Sequence, residues 1–299
     1  MVTSLLDRLL RQDEPSIEIV VIDDGSTDDT SARLYPYRAK VKVLRQENLG
    51  PSAARNKGIK HAAAEYIKFL DSDDFCDFST VMELYNYGLT LREKQIALGD
   101  ALVLDRFREV SKESARFGYE DCEPYREIPR LNFFKRDTPS WLALYPKKAL
   151  LEVGMFDPSL WLGEDTDITF RLLSAGYAFY RFPKHVTVSV QHYGERLTTQ
   201  SVEYRALHQE LAFIKNLNMN FPKLSLTNDE KEAFAQKLWI FARDIAREGE
   251  HKLADNLFRT AFSVAGQNAY VGNALIKKAY RWMTPSNAER ISVFLKSLF

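Results

Sequence analysis

The sequence predicts an α/β fold, a doubly wound sheet followed by a helical appendage. Short apolar runs rich in β-branched residues alternate with helix-like segments in the first part of the chain. Acidic clusters follow two of these runs, and from about residue 200 onward only helical periodicity continues. We therefore predict one domain over residues 1–200 and a C-terminal helical region over 201–299. With 299 residues, 45% of them hydrophobic, the chain can bury a core of this size.

Strands and helices follow one another in a regular order. Strands are predicted for IEIVVID at 17–23, VKVLRQ at 41–46, YIKFL at 66–70 and residues 96–104. Helices are predicted for 51–64, which begins with Pro51, and for 79–92, 147–156 and 164–177. Ligands of such a sheet bind beyond the carboxyl ends of its strands, which is where the acids of IDDGS and FLDSDD lie.

The later segments give weaker signals. Residues 107–140 are rich in charged and aromatic residues, and we interpret them as an insertion on the acceptor side of the site. The segments FYRFP and VTVSVQH are predicted to be extended. Thr227 with Glu230, and Ser286 with Glu289, have the spacing of helix capping boxes.

The charge balance argues against a nucleic-acid partner. Lys and Arg total 41, and so do Asp and Glu. Residues 251–299 differ, because they carry seven basic residues against the two acids Asp255 and Glu289. This basic tail predicts peripheral contact with the inner face of a membrane, or a homo-oligomer formed through the C-terminal helices.

Cysteine usage and hydropathy indicate the compartment. The two cysteines, Cys76 and Cys122, are too few for a disulfide framework and fit a reducing compartment. Charges at Asp7, Arg8 and Arg11 interrupt any signal-peptide core, and no 18 apolar residues run together. We therefore expect a cytoplasmic protein that is neither secreted nor membrane-spanning.

The segment FLDSDD suggests a metal site. Asp71, Asp73 and Asp74 follow a buried strand, and side chains two residues apart in such a turn can converge on one ion. Magnesium and manganese prefer oxygen ligands. The alternative is a solvated turn in which an aspartate caps the next helix, a role we assign to Asp74.

Four segments, in this order and spacing, resemble the family 2 glycosyltransferases, which have the GT-A fold. They are VVIDDGSTDDT at 20–30, NLGPSAARNKGI at 48–59, YIKFLDSDD at 66–74 and WLGEDTDITFRLLSAGY at 161–177. The resemblance implies a GT-A-type mixed sheet. It also implies metal-dependent, inverting transfer of a sugar from a nucleoside-diphosphate sugar, expected to be a UDP-sugar. The expected acceptor is a hydroxyl of a glycan or of a lipid-linked acceptor in cell-surface polysaccharide synthesis.

The resemblance assigns donor-side roles to individual residues. Asp24 matches the residue that binds the nucleotide base, and Arg55 lies where the family contacts the nucleotide. Asp73 matches the direct ligand of Mn²⁺ or Mg²⁺, and Asp71 contacts the donor or a metal-bound water. His192 falls near the metal or diphosphate, and Arg196 near the phosphates. A turn-forming Asp24 and a surface His192 remain the alternatives.

The resemblance also assigns the acceptor side. Asp165 matches the base that removes the proton of the acceptor hydroxyl. It lies with Glu164 and Asp167 in the first turn of a predicted helix, where the helix dipole alone would favour acids, and we assign Asp167 to that structural role. Glu164 is an acceptor-side candidate. Trp141, Tyr145 and Trp161 are candidates for stacking on sugar rings, with core packing as the alternative for each.

The sequence departs from the family in one respect. Family members begin with a strand of the type VSVIIPTYN, whereas this sequence begins within the helix that follows it. We therefore expect IEIVVID to lack a hydrogen-bonded neighbour.

Two other functions stay open. One is a catalytically impaired scaffold that binds nucleotide-sugars. The other is a nucleotidyltransferase, although the glycine- and basic-rich loop typical of such enzymes does not follow the first strand.

Overall fold

In the computed structural model, residues 2–104, 119–190 and 201–296 are described. They fall into two compact units. The described residues within Met1–Pro129 and Arg136–Gly194 form the first unit, and those within Arg130–Lys135 and Glu195–Phe299 form the second. A short piece of the predicted insertion therefore groups with the C-terminal helices.

The first unit contains seven described strands in two sheets. They are β1 Val20–Asp24, β2 Lys42–Gln46, β3 Tyr66–Lys68, β4 Asp74–Phe75, β5 Gln95–Leu104, β6 Ala143–Pro146 and β7 Ala178–Val190. Strands β1 and β2 pair in parallel, and the others form a sheet of order β3-β6-β5-β7-β4. Only β5 and β7 are parallel in that sheet, so it is mixed. FYRFP and VTVSVQH, predicted as separate segments, join in the single strand β7.

Helices cover the strands of this unit and connect them. They are α1 Val2–Leu10, α2 Thr30–Leu34, α3 Pro51–His61, α4 Phe78–Thr90, α6 Lys147–Glu152 and α7 Glu164–Ser174, with 3₁₀ turns at Tyr35–Ala39 and Ser140–Leu142; the intervening α5 Leu131–Lys135 belongs to the second unit. The predicted GT-A-type α/β class is confirmed.

Helix α1 packs on elements of both sheets. Leu6 is buried with Leu34 and Val41 beside β2, and Leu9 is buried with the Cys76 and Phe78 region that follows β4. Among the described residues, β1 is hydrogen-bonded to β2 alone and β3 to β6 alone. The expectation that IEIVVID lacks the neighbour that the first strand of the family would supply stays a prediction.

The cap of helix α4 corrects one sequence assignment. Asp77, not Asp74, caps this helix by accepting hydrogen bonds from the amides of Ser79 and Thr80. Asp74 is buried in β4 and pairs with Ser189. The prediction was wrong because a second short strand, β4, begins at Asp74 and the helix begins only at Phe78.

The second unit is helical. Besides α5 it contains α8 Val202–Lys215, α9 Phe221–Leu224, α10 Asn228–Arg247, α11 His251–Ala265, α12 Ala274–Ala279 and α13 Pro285–Lys296, with a π turn at Asn216–Asn220 and a 3₁₀ turn at Gly266–Ala269. The rings of Phe258, Tyr270 and Tyr280 surround Trp239, which is 1% exposed. No described helix is long and apolar enough to cross a bilayer.

The two predicted capping boxes have different outcomes. Thr227 and Glu230 form the predicted box, and Glu230 also binds Arg130 through two hydrogen bonds of 2.6 and 2.7 Å. The box of Ser286 and Glu289 was wrong. Ser286 donates to Asp255 at 2.6 Å, and the fully buried Glu289 pairs with arginines of α10. Burial against these cations takes precedence over local capping.

Candidate active site

The first acidic loop follows β1. Asp24 accepts hydrogen bonds from the amides of Leu49 at 3.0 Å and Gly50 at 2.9 Å, and from Gln46 Nε2 at 2.7 Å. These bonds connect IDDGS to the turn before helix α3. Asp24 therefore shapes the turn as the alternative interpretation proposed, and its role with the nucleotide base stays a prediction.

Its neighbour Asp23 is structural. Asp23 is 5% exposed, forms an ion pair with Arg45 at 2.7 Å and accepts hydrogen bonds from Ser26 and Ser31. Burial alone would raise the pKa of Asp23, but the hydrogen bonds from both serines outweigh it and hold the pKa below its ordinary value. Asp23 thus stays charged and fixes the start of the loop.

One face of helix α3 holds the segment that precedes Asp165. Ser52 donates to the carbonyl of Leu160 at 2.7 Å, and the side-chain amide of Asn56 makes two hydrogen bonds to the backbone of Phe156, of 2.7 and 2.8 Å. Both polar side chains are buried. Sequence reasoning missed their roles, although the spacing of Ser52, Arg55 and Asn56 on one helical face was a usable signal.

Arg55 lies between these two residues and meets three carboxylates. Its guanidinium donates to Glu164 Oε1 at 2.7 Å, and it lies 3.4 Å from Asp71 Oδ1 and 3.7 Å from Asp165 Oδ1. Its side chain is only 14% exposed. The loop after β3, helix α3 and the start of α7 therefore meet at one cation, and we call these four residues the Arg55 cluster.

Electrostatics within the Arg55 cluster are unbalanced, because one cation faces three acids. Burial, strengthened by the charge of Asp165, raises the pKa of Glu164 to about 7, although Arg55 opposes the shift. Burial also raises the pKa of Asp71, with contributions from Asp165 and Asp73. The Asp71 side chain keeps 44% of its exposure, so water screens its charge more than that of Glu164.

Asp165 lies in the first turn of α7, after Gly163, which adopts a left-handed conformation with φ of 80°. Its Oδ1 is buried, and within the described part of the chain it has no hydrogen-bond partner. Asp167, two residues on, is 4% exposed and pairs with Arg171 at 2.6 Å. These neighbours therefore differ: Asp167 forms a close ion pair with Arg171, whereas Arg55, the cation paired with Asp165, lies 3.7 Å from its Oδ1.

The loop of Asp71 and Asp73 supplies part of a ligand set for a metal. Both side chains carry the oxygen donors that Mn²⁺ and Mg²⁺ prefer. However, no group of three or more His, Cys, Asp or Glu residues arranged to hold a metal occurs among the residues the structure describes. His192, the second predicted metal ligand, and Arg196 lie outside the described residues.

A buried lysine lies at the end of β3, just before this loop. Lys68 of β3 donates to Thr187 Oγ1 at 2.8 Å and to the carbonyl of Trp141. Burial lowers the pKa of Lys68 to about 8, although Asp74 and Asp71 oppose the shift. The sequence signal for this residue was a charge in the middle of the apolar strand YIKFL.

The aromatic candidates separate by burial. Trp141 is 7% exposed and Tyr145 is fully buried, which favours core packing for both. Trp161 is only partly buried and packs on Gly50, where an added Cβ would lie 2.8 Å from the indole ring. Gly50 is also the residue whose amide holds Asp24. Trp161 therefore lies beside the turn that Asp24 holds, and its contact with an acceptor stays a prediction.

Comparison with known proteins identifies the family that the first part of the chain resembles. The family model described as glycosyl transferase family 2 matches residues 1–136. These residues are similar to that family over a little less than half of the chain. The matched region contains the IDDGS, PSAARN and DSDD segments, to which the sequence assigns the donor side.

Several bacterial glycosyltransferases are similar over shorter stretches. GlyA of Streptococcus pneumoniae is 39% identical over 98 residues, covering 32% of this chain and 14% of the relative. EpsH of Bacillus subtilis, a putative glycosyltransferase by its name, is 39% identical over 79 residues, covering 25% and 23%. TarS of Staphylococcus aureus is 39% identical over 88 residues, covering 27% and 15%. The chain thus spans less than a quarter of the length of these relatives.

Solved structures extend the likeness of fold to almost the whole chain. The crystal structure of S. aureus TarS 1-349 in complex with UDP-GlcNAc has a TM-score of 0.61 at 21% identity, covering 94% of this chain and 88% of that one. The complex of the same protein with UDP has a TM-score of 0.60 at 20% identity, covering 94% and 87%. At this identity the likeness describes the fold.

Proposed function

We propose that this chain is a metal-dependent, inverting glycosyltransferase that moves a sugar from a UDP-sugar to a hydroxyl of a glycan or lipid-linked acceptor. The observation that carries the proposal is the Arg55 cluster. It joins Asp71, beside the proposed metal ligand Asp73, to Asp165, the proposed base. Inverting transfer requires such a pairing of leaving-group stabilisation and proton removal around one sugar.

In the proposed reaction the acceptor oxygen attacks the anomeric carbon from the face opposite the nucleotide. A new bond forms between that oxygen and the carbon, and the bond from the carbon to the diphosphate oxygen breaks. Asp165 accepts the hydroxyl proton, a role supported by its place in the first turn of α7 within the Arg55 cluster. UDP leaves with the bonding electron pair, so the configuration at carbon inverts.

The chemistry of Asp73 and Asp71 fits a hard divalent cation, which when bound would stabilise the negative charge on the departing diphosphate. Arg55 and Lys68 keep cationic charge close to these acids. We propose that Arg55 positions Glu164 and Asp165 before substrates bind, since it contacts both at the start of α7. Contact between Arg55 and the nucleotide remains part of the proposal.

The relatives suggest which donor to test first. TarS is named a poly(ribitol-phosphate) β-N-acetylglucosaminyltransferase, and one of its structures contains UDP-GlcNAc. We propose UDP-GlcNAc as the first donor and a cell-surface polysaccharide as the acceptor context. We also propose a cytoplasmic location at the inner face of the membrane, which the two free cysteines, Cys76 and Cys122, support.

UDP release from a panel of UDP-sugars, measured with Mn²⁺, with Mg²⁺ and with chelator, tests the proposal. We expect turnover that needs the metal and a product with inverted anomeric configuration. Retained configuration would contradict the role of Asp165. Metal-dependent UDP binding without turnover on any donor or acceptor would favour the scaffold function, and release of pyrophosphate from a nucleoside triphosphate would favour a nucleotidyltransferase.

A further inference from the structure

The C-terminal helices carry an exposed surface that is both apolar and basic. Leu275 is 75% exposed and Trp282 is 81% exposed, unusually high values for such large apolar side chains. Met283 and Ile291 are also exposed and line one shallow depression with Asn287 and Arg290. We call this surface the C-terminal patch; it consists of Leu275, Trp282, Met283 and Ile291 with the cations Lys277, Lys278, Arg281 and Arg290.

Backbone geometry places the largest of these side chains together. Helix α12 continues as a turn beyond Ala279, because the amides of Trp282 and Met283 both bond to the Ala279 carbonyl. Residues seven apart along a helix share a face, so Leu275 and Trp282 lie on the same side. The two aromatic residues of this segment differ in burial: Tyr280 is buried against Trp239, whereas Trp282 is exposed.

The fold leaves the cations of this surface uncompensated. All four are exposed, and none forms an ion pair within the described part of the chain. The nearest acid in sequence to Arg290, Glu289, is buried and neutralised by Arg243 and Arg247. Asp255 accepts a hydrogen bond from Ser286. The two acids of residues 251–299 thus have partners within the protein, with Glu289 buried and Asp255 half-buried, whereas the four cations are exposed.

We propose that the C-terminal patch docks on an anionic lipid surface, with Trp282 and Leu275 entering the interface and the four cations facing lipid headgroups. Tryptophan suits this position because its ring is amphipathic. A basic surface gains electrostatic attraction from anionic lipids. A symmetric dimer through the same surface would instead place like charges opposite one another, which opposes association.

Flotation of the full chain with vesicles tests this inference. Vesicles of phosphatidylcholine alone are compared with vesicles that also contain phosphatidylglycerol. We expect binding to the anionic vesicles only, and weaker binding as salt rises. Trp282→Ser should weaken binding to the anionic vesicles about tenfold, because the variant has no apolar ring to transfer from water into the lipid interface. K277Q/K278Q should weaken it about fivefold per charge removed.

Matched controls come from the same unit. Leu207→Ser removes another exposed apolar side chain, 58% exposed, and K223Q/K231Q removes two other exposed lysines. Both should bind as the parent does. Point substitutions are preferred to truncation because Tyr270 and Tyr280 pack on Trp239 in the core. A thermal melt of each variant confirms that it folds.

Three results would overturn the inference. The first is equal binding of the parent protein to neutral and anionic vesicles. The second is an equal loss of vesicle binding in the control and patch variants. The third is a parent protein that binds no vesicles but self-associates, with the self-association abolished by Trp282→Ser. Binding to a soluble polyanion that is unaffected by Trp282→Ser, without vesicle binding, would assign the cations to an acidic polymer instead. Failure of vesicle binding leaves the proposed transfer reaction untouched, because UDP release in solution measures that reaction separately.

Discussion

Arg55 on helix α3 donates a 2.7 Å hydrogen bond to Glu164 at the start of α7, across 109 residues of sequence. The same guanidinium reaches Asp71 and Asp165. Because all three carboxylates share one buried cation, removing the charge of one of them changes the electrostatic environment of the other two. The loop that carries Asp71 and the proposed base Asp165 are therefore linked electrostatically as well as by position.

Glu164 should make stability depend on pH. Burial raises its pKa from the ordinary 4.5 to about 7 in the folded state, so between these values the folded protein binds more protons than the unfolded one. Stability should then fall as pH rises through this window, by an amount on the order of 2–3 kcal/mol. Urea unfolding in metal-free buffer at several pH values measures this. Glu164→Gln should flatten the profile, and an unchanged slope would show that Glu164 titrates normally.

Asp165→Asn should retain donor binding and lose transfer, because the amide keeps the shape of the side chain but cannot accept the proton. We expect a fall in kcat of about 10²- to 10⁴-fold. Asp167→Asn is the matched control: it breaks the buried pair with Arg171, so it should lower Tm while leaving the kcat of folded enzyme close to that of the parent. Near-parental turnover in Asp165→Asn would remove Asp165 as the base.

Asp73→Ala should abolish the metal dependence of UDP binding without unfolding the protein. Asp73 lies in a partly exposed turn, so its truncation costs little packing. Ser72→Ala, in the same turn and exposed, serves as control. Calorimetry of UDP binding with and without Mn²⁺ gives the comparison. If Asp73→Ala binds UDP and metal as the Ser72 variant does, Asp73 is not a ligand.

Gly50→Ala should damage both stability and donor binding. Gly50 has φ of +86°, and an added Cβ would lie 2.8 Å from the Trp161 ring. Gly154→Ala is a close control, because Gly154 also has positive φ (+81°) but an added Cβ would meet nothing within 4 Å. Both should lose about 1 kcal/mol or more from backbone strain. Only Gly50→Ala should also weaken UDP binding, and equal UDP affinity in the two variants would contradict a role for this turn.

Local pattern was sufficient to locate the strands that end in IDDGS and DSDD, but it misplaced the cap of α4. Asp74 and Asp77 are both aspartates near the start of a helix, and only the extent of β4 makes Asp77 the cap. Ser286 and Glu289 show the same limit, since their spacing satisfies a capping box while burial turns both side chains to other partners. A spacing rule describes neighbours in sequence, whereas the strongest partner can be distant.

The sequence by itself determined the α/β class, the order of the motifs and the glycosyl transferase family 2 resemblance, because strand periodicity and short acidic loops are local properties. Only the tertiary structure decided which side chains the motifs expose. It buries Trp141, packs Trp161 against Gly50 and leaves Trp282 81% exposed, so the same residue type has three different degrees of burial. It also brings Arg55 to Glu164, Asp165 and Asp71. Burial and ion pairing depend on what packs over a residue, and those partners come from distant parts of the chain.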